Sequence, residues 1–231
     1  MKALAIDTSN LVMGIAVISD DRITGEMITN LKKNHSVRLM PAIDQLLKDV
    51  DMKPAELNRI IVANGPGSYT GVRIGVSIAK TLAWALNIPV TGVSSLDVLA
   101  QNGKMAGSYV SPIFDARRGQ VYTALYDAAN GMKVEKEERI IQLDDWLPML
   151  QEKEKPVLFM GNDLPIHQNR IVEVLGEQAV IAPLTAHNPR PSELAYLGIQ
   201  KEAVPVHEFV PNYLRLAEAE AKWLESQNRQ G

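Results

Sequence analysis

Cysteine is absent from the 231-residue chain. That excludes disulfides, thiolate metal ligands and a cysteine nucleophile, and it suits a reducing cytosol. Aromatic residues make up only 5%, so the core must be filled by the aliphatic side chains that dominate a 46% hydrophobic composition. That content over that length supports one large domain or two small ones with real cores. No apolar run reaches the roughly 20 residues that cross a bilayer. The N-terminus meets Asp7 too early for a secretion signal, and a cytoplasmic location is expected. Surplus basic charge is also missing: 24 lysines and arginines against 27 acids leave a net charge of -3, which argues against strong stand-alone binding to nucleic acid. Four histidines, His35, His167, His187 and His207, lack the HExxH or HxxxH spacing of a helix-borne zinc pair.

What is present is a glycine-rich turn. Ile60, Ile61 and Val62 read as a buried strand that ends at Asn64-Gly65-Pro66-Gly67 and runs through Ser68-Tyr69-Thr70-Gly71 into an apolar helix over 70–87. No Gly-Lys-Ser/Thr follows at Walker A spacing. Two uses remain open: anion binding on free N–H groups at a helix start, or a tight turn that lets helix and strand pack very closely.

An internal repeat organises the rest. Strands over 2–7, 12–18 and 22–28 form a meander, and the same plan returns at 109–115, 120–127 and 132–141, with Asp7 aligned on Asp115. Alternating helices (36–51, 70–87, 94–102) and strands (59–64, 88–93) follow the first meander. Helices over 143–152, 164–175 and 191–203 and strands over 156–160 and 178–182 follow the second. The pattern predicts an α/β fold of two related halves, 1–103 and 104–210, each a mixed sheet with helical cover. A charged segment, 211–231, with a helix near 213–228, is expected to pack back on the first half.

In the 70–87 helix, Gly71, Gly75, Ala79 and Ala83 form a smooth ridge beside Val72 and Val76, while Ile74, Ile78, Leu82 and Ala85 cover another side. A helix apolar nearly all round is buried nearly all round. One face can rest on the sheet; the 36–51 helix, with Met40, Ile43, Leu46, Leu47 and Val50, or a second chain must cover the other. Asp7 and Asp115 read as turn residues, or as paired carboxylates facing a cleft for a metal-nucleotide or a base role. Asp163 reads as a helix N-cap. Ser94, with Asp97 three residues on, reads as a capping box rather than a nucleophile elbow. Lys32, Lys33, His35 and Arg38 form a small basic cluster, read as a solvated face; Arg117 and Arg118 carry charge that could meet phosphate.

Leu4-Ala5-Ile6-Asp7-Thr8-Ser9, the segment from Gly65 to Gly75, Ile113-Phe114-Asp115-Ala116-Arg117 and Pro211-Asn212-Tyr213-Leu214-Arg215 together resemble the bacterial TsaB family, also called YeaZ, over essentially the whole chain. The resemblance implies the actin-like ATPase fold. It also implies a subunit of the complex that makes threonylcarbamoyladenosine in tRNA, at the adenosine 3′ of the anticodon. In that complex TsaD carries metal and catalysis, TsaE is a small ATPase, and a separate synthase supplies threonylcarbamoyl-adenylate. The catalytic relative has His-x-x-x-His where this chain has Ser95 and Leu99, and neither can replace imidazole as a ligand. The resemblance therefore implies a non-catalytic scaffold with no catalytic or metal residues, binding TsaD, joining TsaE in a ternary complex, dimerising when alone and meeting tRNA indirectly. No cofactor is expected on this chain alone. ATP or ADP is placed at the complex interface, with Asp7, Gly67 and Asp115 as the nucleotide candidates. The interface is expected on Met40, Gly71, Val72, Gly75, Val76, Ala79 and Ala83, so that arginine at Val76 or Ala79 should leave a folded monomer unable to bind TsaD. Two other readings compete: a phosphotransferase with Asp7 or Asp115 as base and Mg-ATP as donor, and a metallopeptidase.

Overall fold

The computed structural model describes residues 1–214; the predicted helix near 213–228 lies almost wholly outside the described residues. In the first half, β1 (Lys2–Asp7), β2 (Val12–Ser19) and β3 (Arg22–Asn30) form the meander. They are followed by α1 (His35–Asp49), β4 (Arg59–Ala63), α2 (Tyr69–Leu86), β5 (Val90–Val93) and α3 (Ser95–Ala100). The second half repeats the plan with β6 (Tyr109–Asp115), β7 (Gln120–Asp127), β8 (Lys133–Gln142), α4 (Leu143–Gln151), β9 (Val157–Met160), α5 (Leu164–Leu175), β10 (Ala179–Ile181) and α6 (Pro191–Gln200). The two sheets have the same order, β3-β2-β1-β4-β5 and β10-β9-β6-β7-β8 reversed. In each, the meander is antiparallel and the later strands are parallel to the first. This is the actin-like α/β arrangement, with Asp7 and Asp115 as the last residues of equivalent strands.

Alternation along β1 decides which helices cover which face. Leu4 and Ile6 pack with α1 and α2, while Ala3 and Ala5 pack with Leu194 and Ala195 of α6. Small residues on the α6 side let that helix come close: a Cβ at Gly198 would overlap Ile61. In the second half α4 and α5 cover one face through Trp146, Leu147 and Ile171. The other face takes Leu96, Leu99 and Ala100 of α3 against Val110, Phe114 and Met160. Each half thus lends a helix to the other's sheet, and α3 reaches both cores because Val98 points the other way. The stretch 203–209 also returns to the first half, where Val204 pairs with Val90 and Phe209 is buried beside α2.

The ridge of α2 corrects one expectation. Gly71, Val72, Gly75, Val76, Ala79 and Ala83 are all buried in this chain's own core, because small side chains give the closest approach of helix to sheet and that contact is made inside the monomer. Of the residues expected at the interface, only Met40 is exposed, at 42%. An arginine at Val76, which is 4% exposed, would bury an unpaired charge at about 3–5 kcal/mol. Val76→Arg is therefore expected to lower the melting temperature by about 10 °C or more, read by differential scanning calorimetry, rather than to yield a stable monomer.

Candidate functional site

With its small face turned inward, α2 presents its bulky side outward. Ile74, Ile78 and Leu82 are only partly buried, and Trp84 is 75% exposed. Helix α1 packs on the same side of the sheet through Leu39, Ile43 and Leu46, and its outer residues Val37 and Met40 stay exposed. Large aliphatic and aromatic side chains on two adjacent helices make a surface suited to burial against another helix pair. Sequence reasoning assigned Ile74, Ile78 and Leu82 to a separate side of α2 but placed the contact on the ridge. The exposure of Trp84 had no signal in the sequence.

The glycine-rich turn is a packing device. Ser68 caps α2 by accepting from the Gly71 N–H at 3.3 Å, and its own N–H donates to the Ser9 carbonyl at 2.7 Å. Thr8 Oγ1 donates to the Gly71 carbonyl at 2.7 Å. A Cβ at Gly67 would overlap the Ser9 carbonyl oxygen, one at Gly71 the Thr8 carbonyl oxygen, and one at Gly75 would lie 2.5 Å from Thr8 Oγ1. The β1–β2 turn thus packs directly on the backbone of Gly67 and Gly71.

The two candidate aspartates have different surroundings. Asp7 is fully buried; Ser9 donates to its Oδ1 from both N–H and Oγ, at 2.8 and 2.7 Å, while Oδ2 has no partner among the described residues. Burial pushes its pKa above the usual carboxylate range, against the Ser9 hydrogen bonds and His35. Asp115 Oδ1 is hydrogen-bonded to His167 Nε2 at 3.0 Å, and its N–H donates to Asp163 Oδ2 at 3.0 Å. Asp163 therefore ties two strand ends together rather than capping α5, and burial raises its pKa as well. Ser94 does cap α3, accepting from the N–H groups of Leu96 and Asp97. The sequence reading missed a cavity of about 450 Å³ between the halves. There Asp97 accepts from Tyr126 Oη at 2.8 Å and Lys201 Nζ at 3.2 Å. Glu137 and Glu138 share its wall, a lining that repels the phosphates of ATP or ADP.

Ser95 and Leu99 are both fully buried where α3 meets the second sheet. One hydroxyl and one isobutyl group in a closed core do not fit a metal. Among the described residues, no three His, Asp or Glu side chains are grouped so as to hold one, and no helix is long and apolar enough to cross a membrane.

Burial of Asp7 has a pH consequence. Its folded pKa is raised, so the native state holds the proton longer than the unfolded chain, and stability falls as pH climbs from the unfolded value toward the folded one. Asp7→Asn keeps an acceptor for Ser9 and removes the ionisation cost. It is expected to melt higher than the parent near neutral pH, with the gap closing as pH falls toward 4, in thermal melts across pH 4–8.

The chain matches the family model described as TsaD: tRNA N6-adenosine threonylcarbamoyltransferase over residues 22–223. It is 59% identical to the tRNA threonylcarbamoyladenosine biosynthesis protein TsaB of Bacillus subtilis, over 98% of this chain and all of that one. To the protein of the same name from Escherichia coli it is 34% identical over 54% of this chain and 55% of that one. Among solved structures, YeaZ from Pseudomonas aeruginosa is similar with a TM-score of 0.74 and 25% identity, covering 92% of this chain and 99% of that one. Near-complete coverage at such identity, on the duplicated sheet described above, means that this chain belongs to the TsaB (YeaZ) family of tRNA threonylcarbamoyladenosine biosynthesis proteins.

Proposed function

We propose that this chain is the non-catalytic, cytoplasmic scaffold subunit of the complex that transfers a threonylcarbamoyl group to the adenosine 3′ of the anticodon in tRNA. In that complex it binds and positions TsaD, with TsaE as third member. The observation that carries the proposal is the outer face of α1 and α2: Val37, Met40 and Trp84 are exposed there, beside the partly buried Ile74 and Ile78. Its relatives' names supply the pathway. The chemistry of α3 supports the division of labour, because Leu99 and Ser95 leave the reacting group to a partner. With no partner present, the same face is self-complementary in character and pairs two copies of the chain. ATP or ADP, where it acts, is held with residues of a partner.

Met40→Asp and Trp84→Arg change outward side chains and should leave the melting temperature within a few degrees of the parent. Placed at the centre of a buried helix pair, each should weaken association with TsaD by about 30-fold or more. Copurification, analytical sizing and tRNA modification by the reconstituted complex measure this. Folded variants that still dimerise and still support modification would move the interface to another surface.

A further inference from the structure

Topology brings one end of both sheets together. β1 and β3 run in the same direction, since both are antiparallel to β2, so Asn30 ends β3 at the edge where Asp7 ends β1. In the second half β6 and β9 are parallel and end at Asp115 and Met160 on the corresponding edge. Asparagines join the two edges: Asn30 Nδ2 donates to Asn162 Oδ1 and to Asn188 Oδ1, both at 3.1 Å, and Asn162 Nδ2 donates to Asn188 Oδ1 at 2.9 Å. The segment that follows Asn30 therefore sits on the same end of the molecule as the β6–β7 hairpin. It carries Lys32 and Lys33, and the hairpin carries Arg117 and Arg118, all four exposed.

This end carries a surplus of positive charge on a chain whose net charge is -3. No acidic residue occurs from 27 to 43. Elsewhere lysines and arginines are commonly matched with acids, as in Lys2–Glu56, Lys48–Asp44, Lys104–Glu193 and Arg190–Glu26. Lys32, Lys33 and Arg38 make no ion pair among the described residues; Arg38 bonds only Thr29 Oγ1, at 2.8 Å. The carboxylates of this end are already engaged or buried: Asp7 inside the fold, Asp115 on His167, Asp163 on the Asp115 N–H. Asp144 and Asp145 open α4, which the Leu143 N–H ties to the hairpin at the Gly119 carbonyl, so acidic residues stand closer to the arginines than to the lysines. The surplus is therefore centred on Lys32 and Lys33.

We propose that this end of the chain, with Lys32 and Lys33 at its centre and Arg117 beside them, is a phosphate-contacting surface for the RNA backbone in the assembled complex. The inference rests on the scaffold reading above and adds to it a direct contact between this subunit and RNA. Exposed flexible cations spread over a loop and a hairpin fit a polynucleotide, whose charges are spaced along a strand, better than a single nucleotide, which needs convergent donors in a cradle. Two or three phosphate contacts are too few to hold RNA alone, and they add to those of a partner already engaged.

The test uses the reconstituted complex with Lys32→Gln/Lys33→Gln, compared with Lys32→Arg/Lys33→Arg and with Lys53→Gln/Lys155→Gln, two exposed lysines at the opposite strand ends. The expected result is a Kd for tRNA raised on the order of tenfold at moderate salt, with a log Kd against log salt slope reduced by about 1.5, in the first variant only. The arginine pair should restore both, and assembly measured by sizing should be unchanged in all variants. Parental slope and Kd in a correctly assembled Gln/Gln complex would overturn the RNA contact and leave the scaffold reading intact. A parent chain that fails to assemble with TsaD would overturn both. Loss of binding to anionic lipid vesicles, with tRNA binding unchanged, would assign the patch to a membrane surface and overturn the inference.

Discussion

The contact on which the outer surface depends is that between the first turns of α2 and the Thr8–Ser9 turn. Backbone meets backbone there with no intervening side chain, and Thr8 Oγ1 and the Ser9 carbonyl complete the hydrogen bonds. Any Cβ at Gly67 or Gly71 would force the helix outward. Once α2 is held this close, its small residues must face the sheet, which leaves Ile74 and Ile78 only partly buried and Trp84 exposed. The glycines thus shape the outer surface of α2 without taking part in it.

The exchange of α3 and α6 between the halves gives the molecule its second constraint. Between the halves, apolar packing through these two helices leaves the cavity beside Asp97 open. Leu96, Leu99 and Ala100 pack on the second sheet. Leu194 and Ala195 pack on the first. Polar staples such as Glu26 with Ser192, at 2.6 Å, and Asn102 with the Asn188 carbonyl, at 2.8 Å, close the periphery. A chain built this way presents surfaces in a set geometry, as a scaffold requires. Carboxylates that could have served chemistry, the buried Asp7 and the half-buried Asp163, are instead engaged in structural hydrogen bonds.

The electrostatic picture follows from the same packing. Acidic groups line the interlobe cavity beside Asp97, while the joined strand ends expose unmatched lysines. A small net charge therefore conceals an uneven distribution, and composition alone is a poor guide to which polyanion each surface meets.

Much of the fold was legible in the sequence because its signals are local. β-branched runs marked the strands, the capping residue Ser94 marked a helix start, and the order of elements repeated after Asp115 as after Asp7. The family was legible too, through motifs quoted residue by residue. Periodicity correctly separated the two sides of α2 but could not say which side meets the sheet. Both are apolar, and the choice is made by the approach distance to the Thr8 carbonyl, a contact 63 residues away in the chain. Likewise Asp163 has the sequence of a cap, yet its carboxylate accepts instead from the Asp115 N–H, at a strand end 48 residues earlier. Local chemistry determined the elements and the lineage of this protein. Long-range packing decided which residues are left at the surface for a partner.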